Sequence, residues 1–315
     1  MRDPHQPHTL HGAGRSYPET NCYTDVIIEL LHARGYEPLA AFGHLVRMDF
    51  EGDQWTFFKP PPDDLERLFG VDIHEMAPWR PLPEQIAEQL ARGRTMIVEL
   101  DSWFLPDTAS TSYRRAHVKT SVAADAIDPE RERLRYFHNA GRHELSGEDY
   151  RGVFRIGEPV GEAPAGLAPL PPYAELVRFD AGQPLEGEAL RAAARALLAG
   201  HLTRRPATNP FKRFGAQLAG ALPALLEGGP DDYHAYAFAT VRMAGAAFEI
   251  LGDHARWLLG EAAGDVAVAT GEIVDGSKAL SFRLARRRSF DPDPSIAALA
   301  GAWERAMAGL TAAVE

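Results

Sequence analysis

Cys22, the single cysteine in 315 residues, stands where a helix should begin. From Thr20-Asn21-Cys22-Tyr23 onward, apolar side chains fall at 23, 26, 27, 30 and 31, the spacing of one helical face. Asn21 is a good N-cap and Gly35 a good stop. A thiol in a first helical turn lies among unpaired backbone N–H groups, surroundings that favour the thiolate and make Cys22 a candidate nucleophile. The competing reading is a small buried hydrophobe. A nucleophile of this kind needs a base within reach and a third group to orient that base. Among 12 histidines, His117 is the candidate base, because it opens an alternating strand directly after the loop 105–115. His117, Lys119 and Ser121 share one side of that strand; Val118, Thr120 and Val122 share the other. His138 and Asn139 end the following strand, one hairpin away, and either could orient the His117 ring. Against these roles stands an exposed strand-end histidine at 117 and a structural one at 138.

The elements that must position these groups are mixed helix and strand. A short helix over 86–90 ends near Gly93, a strand runs over 95–100, and strands over 118–124 and 134–138 flank a charged turn at Asp128-Pro129. A stretch dense in Pro, Gly and Ala (Glu158-Pro159-Val160-Gly161 and onward) marks a domain boundary. Beyond it, 185–201, 211–226, 232–259, 278–288 and 295–314 have helical periodicity. The expected layout is a mobile segment over 1–18, an α+β domain over 19–156, a linker over 157–173 and an α-helical domain over 174–315. His5, His8 and His11 are evenly spaced, but with prolines between them and no cysteine or carboxylate beside them they suggest a solvated tail, not a metal site.

A hydrophobic content of 45% and a charged content of 24% are those of a soluble globular protein. A net charge of −11 argues against nucleic acid or an anionic membrane as the main partner and accommodates amine-bearing ligands. No apolar run is long enough to span a membrane, the N-terminus lacks an apolar signal core, and one cysteine excludes an intrachain disulfide; a cytoplasmic location is expected. Glu51 and Asp53 flank a glycine just before Trp55, Phe57 and Phe58, a combination suited to an amine-bearing acceptor or an α-ammonium group. The alternative is a tight acidic turn entering a packed strand. Asp101, at the end of a strand, could position substrate or hydrogen-bond a loop. Lys212-Arg213 and Arg286-Arg287-Arg288 could form basic patches or ordinary helix-end charge.

A resemblance adds to these readings. Over residues 20–140, the helix-borne cysteine is followed by Gly93-Arg94, Val98, Asp101 and Leu105-Pro106. A strand opening on histidine and a strand ending in a polar residue come next. This order resembles the papain-like N-terminal domain of the BtrH-type acyltransferases of butirosin biosynthesis. Over most of the chain, five runs are similar to the bacterial family called domain of unknown function eighteen-thirty-nine: Asn21-Cys22-Tyr23, Asp49 to Pro60, Leu105-Pro106-Asp107-Thr108, Phe137 to Gly141, and Lys278 to Arg286. Its members are often associated with carrier proteins and their amino-acid ligases.

The resemblance implies a papain-like α+β domain with Cys22 as nucleophile, His117 as base and Asn139 or His138 as the third member, where the BtrH type has an aspartate. The Cys22 backbone N–H would supply one oxyanion donor. Papain-like enzymes commonly place a glutamine six residues before the cysteine; Ser16 stands there, so Ser16 or Asn21 would supply the second. The implied activity moves an aminoacyl or other acyl group from a carrier-protein thioester, through a Cys22 thioester, to a small amine or hydroxyl acceptor. The substrate would carry phosphopantetheine, and no bound cofactor is expected. A thioesterase or amidase using the same site, or a non-catalytic carrier-protein-binding scaffold, are the alternatives.

Overall fold

Helix α1 (Cys22–Ala33) starts at the predicted residue because Asn21 has extended backbone (φ −140°, ψ 149°) and its Oδ1 accepts from Thr24 N at 2.9 Å. It ends where Arg34, Gly35 and Tyr36 donate to the carbonyls of Leu31 and His32, with Gly35 at φ 78°. The computed structural model describes residues 5–157 and 172–315, so most of the expected linker, 158–171, lies outside the described residues. After α1 come β1 (Phe50–Glu51), β2 (Gln54–Trp55), α2 (Pro62–Phe69), β3 (Asp72–Met76), α3 (Leu82–Ala91) and β4 (Thr95–Asp101). β5 (Lys119–Asp128), β6 (Arg133–His138), β7 (Gly141–Ser146), α4 (Glu148–Val153) and β8 (Ala174–Arg178) follow. The remaining helices are α5 (Gly187–Leu202), α6 (Pro210–Glu227), α7 (Pro230–Ala237), α8 (Met243–Leu259), α9 (Gly264–Ala285) and α10 (Asp293–Val314). The fold is mixed helix and antiparallel sheet, in the α+β class.

The chain forms two compact units. The first comprises Met1–Thr9, Asn21–Tyr36 and Leu65–Pro184 and is built on a six-stranded antiparallel sheet in the order β3-β8-β4-β5-β6-β7. Alternation along β5 separates its two faces. Val122 and Ala124 point into a core with Val98, Leu134, Tyr136, Ile86 of α3 and Tyr150 of α4. Ser121 points the other way, toward α1. Residues 37–64, expected in the α+β domain, group with the second unit, and two further placements differ from the sequence reading. Residues 174–178, grouped there with the helical half, form β8 and hydrogen-bond between β3 and β4. Five residues carry too little periodicity to be told from a helix entry; their pairing is non-local. The histidine-bearing stretch of the 1–18 segment is also not a solvated tail: His8 and His11 are both only 8% exposed. Glu29, fully buried on α1, draws it in, accepting from His8 N at 2.9 Å and pairing with the His5 ring.

The second unit comprises Leu10–Thr20, Glu37–Asp64 and Leu185–Glu315. Helices α8, α9 and α10 pack side by side, and a 3₁₀ stretch over Pro38–Arg47 lies against α5 and α8. The β1–β2 hairpin turns at Gly52 (φ 66°) and delivers Trp55 into an aromatic cluster with Phe50, Phe211 and Phe214. The helix expected over 232–259 is interrupted by a π-turn over Phe238–Arg242, where Thr240 Oγ1 donates back to Tyr236 O. Among the described residues four buried histidines lie in this unit, His11 and three others: His201 meets Asp64 at 2.7 Å, while His44 and His254 donate to backbone carbonyls of Ala41 and Leu39.

Candidate active site

The Cys22 thiol is half-buried in the first turn of α1 and points at Ser121 Oγ of β5, 3.7 Å away. The adjacent Tyr23 locks this turn to β8: its hydroxyl donates to Glu175 Oε2 at 2.7 Å, and Tyr173 donates to Oε1 of the same carboxylate at 2.7 Å. Burial, and then the Glu175 charge, push the Tyr23 hydroxyl far above the ordinary tyrosine range, so it remains a donor at every physiological pH.

The sheet face that meets Cys22 carries a row of polar groups set by the β4–β5 register. Ser121 pairs with Glu99 and Lys119 with Asp101, so all four share one face. Lys119 Nζ donates to Glu99 Oε1 at 2.7 Å. At the end of the row, His117 Nδ1 donates to Asp101 Oδ2 at 2.6 Å, and its ring stacks on Trp103 at 4.5 Å with an 8° interplanar angle. The other oxygen of Asp101 accepts from Trp103 N at 3.0 Å, which fixes the carboxylate and the aromatic platform together. The result is an aspartate–histidine pair with Nε2 left for another partner and a ring 59% exposed.

Cys22 and His117 thus address the same face without touching. Cys22 meets residue 121, four residues from His117, an offset of up to about 13 Å along extended chain. Among the described residues no hydrogen bond joins them.

The structure gives His138 and Asn139 other places. His138 Nε2 accepts from Thr120 Oγ1 at 2.8 Å, and its Nδ1 donates to Asp107 Oδ2 at 2.5 Å; Tyr136 donates to the other Asp107 oxygen. Thr120 follows the opposite alternation from Ser121, so this network lies on the sheet face away from Cys22. Its members are buried, with His138 2% exposed. Burial raises the Asp107 carboxyl, but hydrogen bonds from His138 and Tyr136 outweigh it and hold the group below the usual aspartate range. The connectivity is that of a hydroxyl–imidazole–carboxylate triad, yet it is a satisfied core network. Asn139 is the first residue of the turn joining β6 to β7, at φ 46°; a left-handed turn position is a conformational reason for an asparagine there.

For the expected oxyanion donors, Asn21 spends its Oδ1 on capping α1, so only its Nδ2 is of the right polarity. The Ser16 amide donates to Glu249 Oε1 at 2.8 Å, within the second unit. Glu51, Asp53 and Trp55 also belong to that unit. The two carboxylates are exposed on the β1–β2 turn, while Trp55, 3% exposed, is core. Asp101, expected to position substrate or to hydrogen-bond a loop, accepts from Trp103 N and is also the partner of His117. Nothing in the sequence singles out Trp103 as a site residue, whereas Ser121 shares with His117 and Lys119 a side that is visible in the strand alternation. Among the described residues, no group of three or more His, Cys, Asp or Glu side chains is placed to hold a metal ion, and no helix is long and apolar enough to cross a membrane.

No match was found among curated proteins. Family comparison assigns residues 6–179 to the DUF1839 N-terminal domain and residues 187–312 to the DUF1839 C-terminal domain. With nearly its whole length covered by these two domains, the chain belongs to the DUF1839 family.

Proposed function

We propose that this protein is a cysteine-dependent acyltransferase of papain-like design, in which Cys22 carries the acyl group and the Asp101–His117 pair activates the acceptor. The observation that carries the reading is that pair: a carboxylate fixes Nδ1 of an exposed imidazole, on the sheet face that the Cys22 thiol meets. In the first step the Cys22 sulfur attacks a thioester carbonyl, a new C–S bond forms, and the donor thiol leaves with the proton. Exchange of one thioester for another is nearly isoenergetic, so orientation at the helix N-terminus matters more than a base bonded to the sulfur. In the second step an amine or hydroxyl attacks the Cys22 thioester, His117 Nε2 takes its proton, and the cysteine sulfur leaves. The gap between Cys22 and His117 suits this division of labour, because the acceptor must stand between them.

The resemblance to BtrH-type enzymes supports a carrier protein bearing an aminoacyl or other acyl group on phosphopantetheine as the donor. With water as the acceptor, the same groups make a thioesterase or amidase. Intact-mass analysis after exposure to an aminoacyl N-acetylcysteamine thioester tests the reading. The expected adduct forms on the wild type, is absent in Cys22→Ser, and is discharged by added amine more slowly in His117→Ala. If the wild type stays unmodified while Cys22 is accessible to iodoacetamide, the transferase reading fails and a binding scaffold is left.

A further inference from the structure

At the end of α1 opposite to Cys22, about 18 Å along a 12-residue helix, the first unit has a cleft of about 770 Å³. Its walls are the C-terminal ends of α1 and α3 and the strands β5 and β6, and four arginines reach it: Arg34, Arg94, Arg135 and Arg142. Among the described residues that line the cleft, one is a carboxylate. Asp125 sits at a β-bulge between Ala124 and Ala126, pairs with Arg135 and lies 3.9 Å from Arg142. Arg34 lies over the Phe179 ring at 3.7 Å, and among the described residues neither Arg34 nor Arg94 has a carboxylate within ion-pair distance.

In a chain of net charge −11, four guanidinium groups and one carboxylate among the described lining residues are a local inversion of sign. Helix dipoles explain part of it, since Arg34 and Arg94 follow the ends of α1 and α3. They do not explain Arg135 and Arg142, which come from strands. The last-turn carbonyls of Leu31, His32, Gln89 and Leu90 are also already met by backbone N–H groups of residues 34–36 and 92–94.

We propose that this cleft binds the phosphate of a phosphorylated small molecule, with Arg34 and Arg94 as its principal ligands. Guanidinium offers paired N–H donors matched to phosphate oxygens, and several in one concave wall favour a compact multi-oxygen anion over a single carboxylate. The volume is that of a small-molecule site, and the net negative charge of the chain opposes an extended polyanion such as nucleic acid. Phe179 and Ile127 give the organic part an apolar wall.

Calorimetric titration of the full chain at low salt with phenyl phosphate, phenol, inorganic phosphate and pyrophosphate tests the site. Phenyl phosphate is expected to bind and phenol not to. Arg34→Ala and Arg94→Ala should each weaken binding by about tenfold or more, with Arg94→Lys in between. Both side chains lie at helix ends on the surface, and unchanged melting curves of the variants confirm that they fold. Cys22→Ser should bind like the wild type, so a failed acyltransfer reading leaves this result intact. Phenyl phosphate binding more tightly than inorganic phosphate identifies an organic ester as the ligand; equal affinity identifies free phosphate. No saturable binding of any phosphate compound, or full affinity in both alanine variants, overturns the proposal.

Discussion

Replacing Asp101 by asparagine separates the two halves of the proposed reaction. The carboxylate holds His117 Nδ1 at 2.6 Å and would stabilise the imidazolium formed when Nε2 accepts a proton. A hydrogen bond to a charged group contributes about 1.5–3 kcal/mol. With side chains 59% and 32% exposed, solvent screening places this pair at the lower end, about 1.5 kcal/mol or roughly tenfold in rate. Asparagine can also present its N–H₂ to Nδ1, which selects the tautomer with the proton on Nε2 and removes the base from the acceptor side; the combined loss is about 10- to 100-fold. The substitution is otherwise mild, because the asparagine Oδ1 can still accept from Trp103 N. In single-turnover intact-mass measurements, acylation of Cys22 should keep its wild-type rate within about threefold while discharge to an amine slows by the larger factor. Alkylation by iodoacetamide should also be unchanged. Discharge at the wild-type rate, or acylation and discharge slowed equally, would refute the assignment of His117 as the acceptor's base.

Three further outcomes follow from the packing. Tyr23→Phe removes one donor from the buried Glu175 carboxylate and should cost about 2 kcal/mol in denaturant unfolding, with faster alkylation of Cys22 as the first turn of α1 loosens. Gly152→Ala should lower the melting temperature by several degrees: a Cβ there would stand 2.2 Å from the buried Phe104 ring, and overpacking of about 1–3 kcal/mol exceeds the roughly 1 kcal/mol gain in helix propensity. Acidification should destabilise the second unit between about pH 6.5 and pH 4, read as a falling denaturant midpoint. Burial, only partly offset by Nδ1 bonds to backbone carbonyls, lowers both His44 and His254 to about 4, and the Nε2 atoms have no acceptor to receive a proton among the described residues. The unfolded chain therefore binds more protons in that window, and each histidine costs about 2 kcal/mol at pH 5; unchanged stability from pH 7 to pH 5 would contradict the neutral, buried assignment.

What the sequence made legible is what is local. Asn21, the apolar spacing and Gly35 each act within one or two helical turns, and α1 begins and stops where they say. The strand around 118–124 and its shared side of Lys119 and Ser121 were likewise readable from alternation, and that side does face Cys22. The partner of His117 was not readable. It depends on Asp101 standing opposite Lys119, a register between β4 and β5 that hydrogen bonding between distant segments decides. The same kind of ignorance made His138 and Asn139 look like orienting groups and left β8 outside the sheet it completes.

Register also explains why the more triad-like of the two constellations is the less suited to chemistry. Thr120, His138 and Asp107 are connected by hydrogen bonds of 2.8 and 2.5 Å, whereas Cys22, His117 and Asp101 share only one such bond. Thr120 and Ser121 are neighbours in sequence, but the pleat sends one into the core against Tyr136 and the other toward a helix N-terminus. A substrate can reach an imidazole that is 59% exposed, and cannot reach one that is 2% exposed without opening the sheet. Connectivity alone favours the buried network; access and the need for a gap that an acceptor can occupy favour the looser one. A single residue of strand phase separates the two outcomes, and for that reason the proposed acyl transfer is placed at the aspartate–histidine pair at the strand end, with Cys22 on its face of the sheet.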